Sequence, residues 1–445
     1  MKKQDMQSAI REFLSRSLRG HTLNDDDDIF SLGLVHSLFT VQIILFIEKN
    51  FQVELEVSEL KTEQIATVNK IVELIQRQTG LAVLFAKQHL ALAAQNIERQ
   101  QFIVPDIISC VAQAGYLGAS IPQKYGGRGY DSYQLCALHE VMAGVHGSLE
   151  NLITVTGMVS TLLQRVGSAA QKAHYLPKLA TGELIGAIAL TEPNIGSDLV
   201  NVETELQQDG DGWRLNGKKK WITLGQIADF FIVLIHCGNQ LATVLIDRNT
   251  DGFTITPLND MLGLRGNMLA ELHFNDCRLK EDALLGPLTP GVPLAVNFAL
   301  NEGRFTTACG SLGLCRAAVD VAARYIRQRK QFKRRLFSHG IVQHLFATML
   351  TQTRSAQLMC FSAAEYRETL HPAMINQILM AKYVASKAAV DVAGKAVQLL
   401  GANGCHADYA VERYYRDAKI MEIIEGTSQI HEIQIAMNYM MGSEA

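Results

Sequence analysis

Two residues in this chain stand where chemistry can be done on them. Ser37 opens an apolar stretch running to Asn50, after the string Ile29-Phe30-Ser31-Leu32-Gly33-Leu34-Val35-His36 and a loop holding Asp25, Asp26, Asp27 and Asp28. A hydroxyl at a helix N-terminus ordinarily caps the helix. It also suits a phosphodiester, because the free N–H groups and the helix dipole stabilise an anion. Glu425 lies in Ile424-Glu425-Gly426-Thr427-Ser428-Gln429-Ile430. In an apolar pocket its carboxyl is expected to titrate above the ordinary range, nearer the pH at which a base works. The plainer reading is a loop carboxylate ahead of a helix capped by Thr427 or Ser428. A third feature is the basic run Arg324, Arg327, Arg329, Lys330, Lys333, Arg334 and Arg335, either a solvated helix face or a docking surface for an acidic partner.

A chain of 445 residues exceeds one hydrophobic core and implies two to four domains. Residues 1–80 read as a small helical bundle: a helix over Ala9–Leu18, a polar loop over His21–Ser31, a helix over Ser37–Asn50 with Leu38, Val41, Ile44 and Leu45 on one face, and a helix over Val68–Gln78. A short join, Arg77–Leu81, follows, with no Pro/Ser/Gly tract. Residues 81–183 read as helical, with a tight loop at Tyr125-Gly126-Gly127-Arg128-Gly129. Residues 184–288 alternate as short strands, among them Phe230–Cys237, Leu241–Asp247 and Phe253–Pro257. Residues 289–445 return to long helices: Val292–Ala308, Leu312–Gln328, Val342–Thr369 and Met374–Leu400. Helices, then strands, then helices make an α+β protein with segregated layers.

Hydrophobic residues make up 48% and charged residues 19%, a globular composition. The first 80 residues hold 9 Lys/Arg and 12 Asp/Glu and so carry the whole net charge of −3; the rest balances at 32 of each. No basic field for nucleic acid results. The eight cysteines form no C-x-x-C pair and sit in apolar stretches, as expected for reduced thiols of a cytoplasmic protein without a metal site. No run approaches the ~20 apolar residues of a membrane helix, and the polar N-terminus is unlike a signal peptide.

Residues 8–78 resemble an acyl or peptidyl carrier protein, in which a serine placed like Ser37 takes the 4′-phosphopantetheine arm from a phosphopantetheinyl transferase. His36 stands where that family usually has Asp. The acidic Glu48, Glu54, Glu56, Glu59 and Glu63 then form either a solvated face or the surface by which carriers meet basic patches.

Residues 81–445 resemble the acyl-CoA dehydrogenase family through several strings in order. They are Leu190-Thr191-Glu192-Pro193-Asn194-Ile195-Gly196-Ser197-Asp198, Lys220-Trp221-Ile222-Thr223, Arg327-Gln328-Arg329-Lys330-Gln331-Phe332, Val397-Gln398-Leu399-Leu400-Gly401-Ala402-Asn403-Gly404, Arg416-Asp417-Ala418-Lys419 and the Glu425 block. The resemblance implies that Glu425 removes the α proton of a thioester, and that its N–H, with a flavin ribityl hydroxyl, holds the thioester oxygen. Some family members carry the base on the helix bearing Asn301-Glu302-Gly303-Arg304, at the position of Gly303 here; Glu302 is one residue off, turned by about 100°. For FAD, the resemblance assigns Leu190, Thr191 and Ser197 to the ring and phosphate side, and Trp221 and Thr223 to the ring's other edge. Arg329, Phe332, Gln398 and Gly401 would bind the adenosine end of a neighbouring subunit's FAD, and Thr427 and Gln429 the FAD of their own. This implies a homodimer or homotetramer. Ala402 replaces a common glycine.

A carrier fused to such an enzyme implies oxidation of an acyl or aminoacyl group while tethered, alongside polyketide synthase or nonribosomal peptide synthetase enzymes, where tethering raises the local concentration. Gly225–Asp229 and Glu422–Thr427 resemble a subgroup acting on carrier-bound precursors of hydroxymalonyl, methoxymalonyl or aminomalonyl extender units. Electron-transfer flavoprotein or O₂ would take the electrons. The rival readings are a conventional acyl-CoA dehydrogenase with an accessory carrier, and a scaffold with an inactive dehydrogenase half.

Overall fold

Alternating apolar spacing, first of helical and then of strand period, sets the order of elements. A computed structural model describes residues 3–17, 23–31, 37–51, 65–72, 85–286, 288 and 292–440. The chain divides into two compact units, Met1–His89 and Leu90–Ala445.

In the first unit α1 (Lys3–Ser17) and α2 (Ser37–Phe51) close over Ile10, Leu14, Ile43 and Ile47, with Ile65, Val68 and Ile71 from the following segment. Phe13 stacks on Phe46 with ring centroids 4.0 Å apart. The buried face of α2 is Phe39, Ile43, Ile44 and Ile47, whereas Val41 and Leu45 are exposed. Of the expected face Ile44 is buried, Val41 and Leu45 are exposed, and the Leu38 side chain lies outside the described residues; α2 is apolar nearly all round, so periodicity alone could not choose among its stripes. The acidic loop is knitted, not merely solvated: Asp28 accepts from the Phe30 N–H at 2.9 Å, Asp26 from the Asn69 amide at 2.8 Å, and Asp25 from the Gln7 amide at 3.1 Å. The join at Arg77–Leu81 and the acidic residues Glu54, Glu56, Glu59 and Glu63 lie outside the described residues.

The second unit opens with helices α3 (Ala93–Gln100), α4 (Pro105–Gln113), α5 (Ser132–Val145), α6 (Gly147–Val166) and α7 (Ala169–Thr181). Asp131 and Ser168 head α5 and α7 with reciprocal capping boxes. Seven strands follow: β1 (Gly186–Ala189), β2 (Glu205–Asp209), β3 (Gly212–Ile222), β4 (Phe230–Cys237), β5 (Gln240–Asp247), β6 (Phe253–Leu258) and β7 (Leu269–Leu279). Their order is β1-β4-β2-β3-β7-β6, with β5 on β4. The last layer is α8 (Val292–Gln328), a short hairpin β8 (Lys330–Gln331) and β9 (Arg334–Arg335), then α9 (Gly340–Glu368), α10 (Met374–Leu400), α11 (Val411–Met421) and α12 (Ser428–Met440).

The two helices expected over 292–328 are one helix of 37 residues. The apparent break, Cys309-Gly310-Ser311, is a packing site. A Cβ at Gly310 would lie 2.9 Å from Cδ of the buried Glu150 on α6, so the glycine permits close approach without ending the helix. The string Arg416-Asp417 ties layers together: Asp417 accepts from the Leu264 N–H at 2.6 Å, and Arg416 pairs with Glu98 at 2.6 Å. Among the described residues no helix is long and apolar enough to cross a membrane.

Candidate active site

Glu425 sits in the turn between α11 and α12 with φ of 56°, a left-handed conformation unusual for a residue with a side chain. Such strain persists only where surroundings over-determine it. Here three groups do so. The Glu425 carbonyl accepts from Arg304 Nε on α8 at 3.2 Å and meets His431 Nε2 on α12 at 3.2 Å. The next carbonyl, Gly426 O, accepts from Lys382 Nζ on α10 at 2.8 Å. The Glu425 N–H donates to no group among the described residues. Thr427 caps α12 by accepting from the Ile430 N–H at 3.4 Å, so the cap and the Glu425 carboxylate share one turn.

Residue 425 as a whole is half-buried, but its Oε2 is sealed from solvent and has no hydrogen-bond partner. Burial pushes its carboxyl up to about 7, against the pull of Arg304 and Lys382. The setting is therefore not simply apolar: two buried cations flank the carboxylate. Burial also pushes His431 down to about 3, so its ring is neutral and adds no charge beside the Glu425 carboxyl.

The carboxylate points at the bare backbone of Gly303. A Cβ there would stand 2.5 Å from Glu425 Oε2 and 2.8 Å from Met158 Sδ. Glu302 is turned away, into an ion pair with Arg367 at 2.7 Å, and that guanidinium lies 4.3 Å over the Phe305 ring. Beneath Gly303, Thr306 donates to its carbonyl at 3.1 Å, and Thr154 links Thr306 to the buried Glu150.

A second strip lies on the β-domain. Lys219, buried on β3, donates to Leu190 O at 2.9 Å and pairs with Glu192 at 2.8 Å. Glu192 also accepts from the backbone of Glu203 and Thr204 and from the Thr204 hydroxyl. The Lys220 N–H donates to Thr191 O at 2.9 Å. These bonds set Leu190 and Thr191 beside Trp221 and Thr223. A register shift between Lys219 and Ile222 throws Trp221 outward: its φ is 63° and its side is 48% exposed, so it is not a core residue of the β-domain.

Arg329, Phe332, Gln398 and Gly401 occupy a different part of the unit, and none is hydrogen-bonded to the base turn. Phe332 and Lys333, at φ of 51° and 62°, form the tip of the β8–β9 hairpin, and Phe332 is 88% exposed. Gln398 and Gly401 are exposed at the end of α10, where a Cβ on Gly401 would meet nothing. Gln429 is exposed on the first turn of α12. In the first unit, α2 begins at Ser37, but the Ser37 side chain and residues 32–36 lie outside the described residues.

Sequence reasoning missed Lys382, Lys219 and Glu150. Lys382 was detectable: it falls on the buried stripe Ile378, Ala385, Ala389 of α10 at spacings of three and four.

Family models agree with this layout. The N-terminal domain model of acyl-CoA dehydrogenase matches residues 80–183, the middle domain model 187–277 and the C-terminal domain model 290–440. The short/branched chain specific acyl-CoA dehydrogenase of Bos taurus mitochondria is 33% identical over 358 residues, 79% of this chain and 82% of that one. The chain belongs to the acyl-CoA dehydrogenase family. Residues 4–75 match the phosphopantetheine attachment site model. A glutaryl-CoA dehydrogenase from Mycobacterium smegmatis solved with FADH2 is 27% identical at a TM-score of 0.77, covering 82% of this chain and 93% of that one. FkbI, solved for biosynthesis of the methoxymalonyl extender unit of a polyketide, is 29% identical at a TM-score of 0.75, covering 81% and 99%.

This acyl-CoA dehydrogenase uses FAD, and its phosphopantetheine domain carries a 4′-phosphopantetheine arm. The β-domain strip fits a flavin. Thr191, Ser197 and Thr223 have hydroxyls without a partner among the described residues, and Trp221 turns its indole outward.

Proposed function

We propose that the enzyme oxidises the α and β carbons of an acyl or aminoacyl group tethered to a phosphopantetheinyl carrier, in the making of a polyketide or nonribosomal peptide. The observation carrying the chemistry is the sealed, unpartnered Oε2 of Glu425 facing the bare Gly303. Glu425 takes the α proton as the C=C bond forms. Its unengaged N–H receives the thioester oxygen, on which negative charge develops. When bound, FAD supplies the acceptor for the hydride leaving the β carbon. Leu190, Thr191, Ser197, Trp221 and Thr223 would hold the flavin end, and Thr427 and Gln429 its adenosine side. The exposed Arg329, Phe332, Gln398 and Gly401 would reach the FAD of a second copy, which makes the enzyme a homo-oligomer.

The tethered substrate is supported by the fused domain and by the likeness to FkbI. Ser37, heading α2, would take the arm from a phosphopantetheinyl transferase. Electron-transfer flavoprotein or O₂ would re-oxidise the enzyme, in the cytoplasm. The test loads Ser37 with butyryl- or 2-aminobutyryl-pantetheine from the corresponding CoA thioesters and a broad-specificity transferase, then follows flavin bleaching. Faster bleaching by a tethered group than by its free CoA thioester supports the reading. Preference for free CoA thioesters in both cases would make the carrier accessory. Glu425→Gln should keep FAD and lose about 10²–10⁴ in reduction rate; a near-normal rate would move the base elsewhere.

A further inference from the structure

Lys382 has no part in the chemistry just described, yet it is fully buried within the second unit. A lysine is almost never fully buried unless something pairs with it. Its Nζ donates to Gly426 O at 2.8 Å and to Glu422 O at 3.3 Å, the carbonyls on either side of the turn that carries Glu425. No carboxylate oxygen lies within ion-pair distance of it among the described residues. The charged groups that face it are Glu425 and Glu422 from the turn and Arg304 from α8, and its own charge acts on His431 of α12. Glu150 on α6 also acts on Glu425, pushing its carboxyl up.

We propose that Lys382 is a positioning residue for the base: from α10 it clamps the turn at both ends so that Glu425 keeps its left-handed conformation, and it supplies buried positive charge to the carboxylate. The inference rests on Glu425 being the base. The clamp follows from donor geometry, since an ammonium has three donors and two of them are spent on backbone carbonyls that no other group among the described residues reaches. A methylene-for-ammonium change would leave both carbonyls buried and unpaired. The charge follows from burial. Desolvation lowers the proton affinity of Lys382 to about 7, and the Glu425 charge is the first influence opposing it; Lys382 in turn opposes the upward shift of Glu425. Each opposes the shift that burial imposes on the other. Arg304 contributes the same sign of charge but bonds a single carbonyl of the turn, so it cannot replace the clamp.

The test uses FAD-loaded full-length protein in four forms: unaltered, Lys382→Met, Lys382→Arg and Glu425→Gln. The carboxylic-acid C=O band lost in Glu425→Gln identifies Glu425 in infrared difference spectra, and its pH midpoint is read without substrate. In Lys382→Met the midpoint should rise by about one pH unit, the low end for losing a nearby opposite charge. Amide exchange over residues 422–428 should speed up by roughly tenfold. Lys382→Arg, which keeps the charge, should hold the midpoint near the unaltered value even where the turn loosens. A purely space-filling lysine would leave the midpoint unmoved in Lys382→Met, and that result overturns the proposal. Should Lys382→Met fail to fold, Lys382→Gln carries the same reading, because it keeps donors and removes charge: its midpoint must rise or the proposal is wrong. Failure of the base assignment is seen separately, as a Glu425→Gln protein that still reduces its flavin with butyryl-loaded carrier.

Discussion

Replacing Glu425 by Gln should stabilise the protein, and should do so more as pH rises. The carboxyl titrates at about 7 in the folded state against an ordinary 4.5. A group whose folded value is raised contributes its stability in full below 4.5 and loses it as pH climbs through 7. Glutamine mimics the protonated form at every pH and avoids that loss. At about 1.4 kcal/mol per unit, the gain approaches roughly 3 kcal/mol at pH 8, stays under about 1 kcal/mol at pH 5, and vanishes near pH 4. Both proteins are melted at pH 5, 6.5 and 8 with FAD saturating, so that mass action by the cofactor is matched. The mutant's advantage must widen with pH. An advantage that is flat with pH, or a mutant that is less stable at pH 8, would refute the claim that burial of the charged form dominates at this site.

Other outcomes follow from the same geometry. Gly303→Ala places a Cβ 2.5 Å from Glu425 Oε2 and should cost about 10²-fold in flavin reduction at unchanged FAD content, read by stopped-flow absorbance. The pH profile of flavin reduction in the unaltered enzyme should rise through about 7, because the base must be deprotonated; a profile flat between pH 6 and 8 would count against Glu425. Lys219→Met strands the buried Glu192 and should destabilise the protein by about 3–5 kcal/mol, with loosened FAD, measured by melting and cofactor release. Ser37→Ala should gain no arm on incubation with CoA and a broad-specificity transferase, as intact mass will show.

Much of the fold was legible because its signals were local. Met374–Leu400 and Phe230–Cys237 agree between sequence and structure to the residue, since apolar period and flanking glycines mark both. The joining of two helices into α8 was not legible. Gly310 reads as a breaker in one dimension, and only the approach of Glu150 from α6 shows it as a spacer. The face of α2 was illegible for the opposite reason, an excess of apolar residues. At the site, the strings around Thr191, Trp221 and Glu425 carried the candidates. The cations that act on the Glu425 carboxyl come from α8 and α10, remote in sequence: the buried stripe of α10 marks Lys382 as inward, but nothing local links it to Glu425. Lys219 was hidden in a run of three lysines, where only strand alternation turns the middle one inward.

The vacancy at Gly303 bears on how such a protein can change over generations. Positions 303 and 425 lie far apart along the chain, yet they open onto one spot, with room for a single carboxylate. A mutation that adds a side chain at 303 collides with the resident carboxylate, and, with Glu425 as the proposed base, one that removes the carboxylate at 425 leaves none. Either change alone is a loss. Made together, as Glu at 303 with Gly at 425, they restore one acid to the same volume and relieve the left-handed strain at 425. The two residues are thus bound by sign epistasis. A lineage can move its base from one helix to the other only across an inactive intermediate, or in a duplicated copy sheltered from selection.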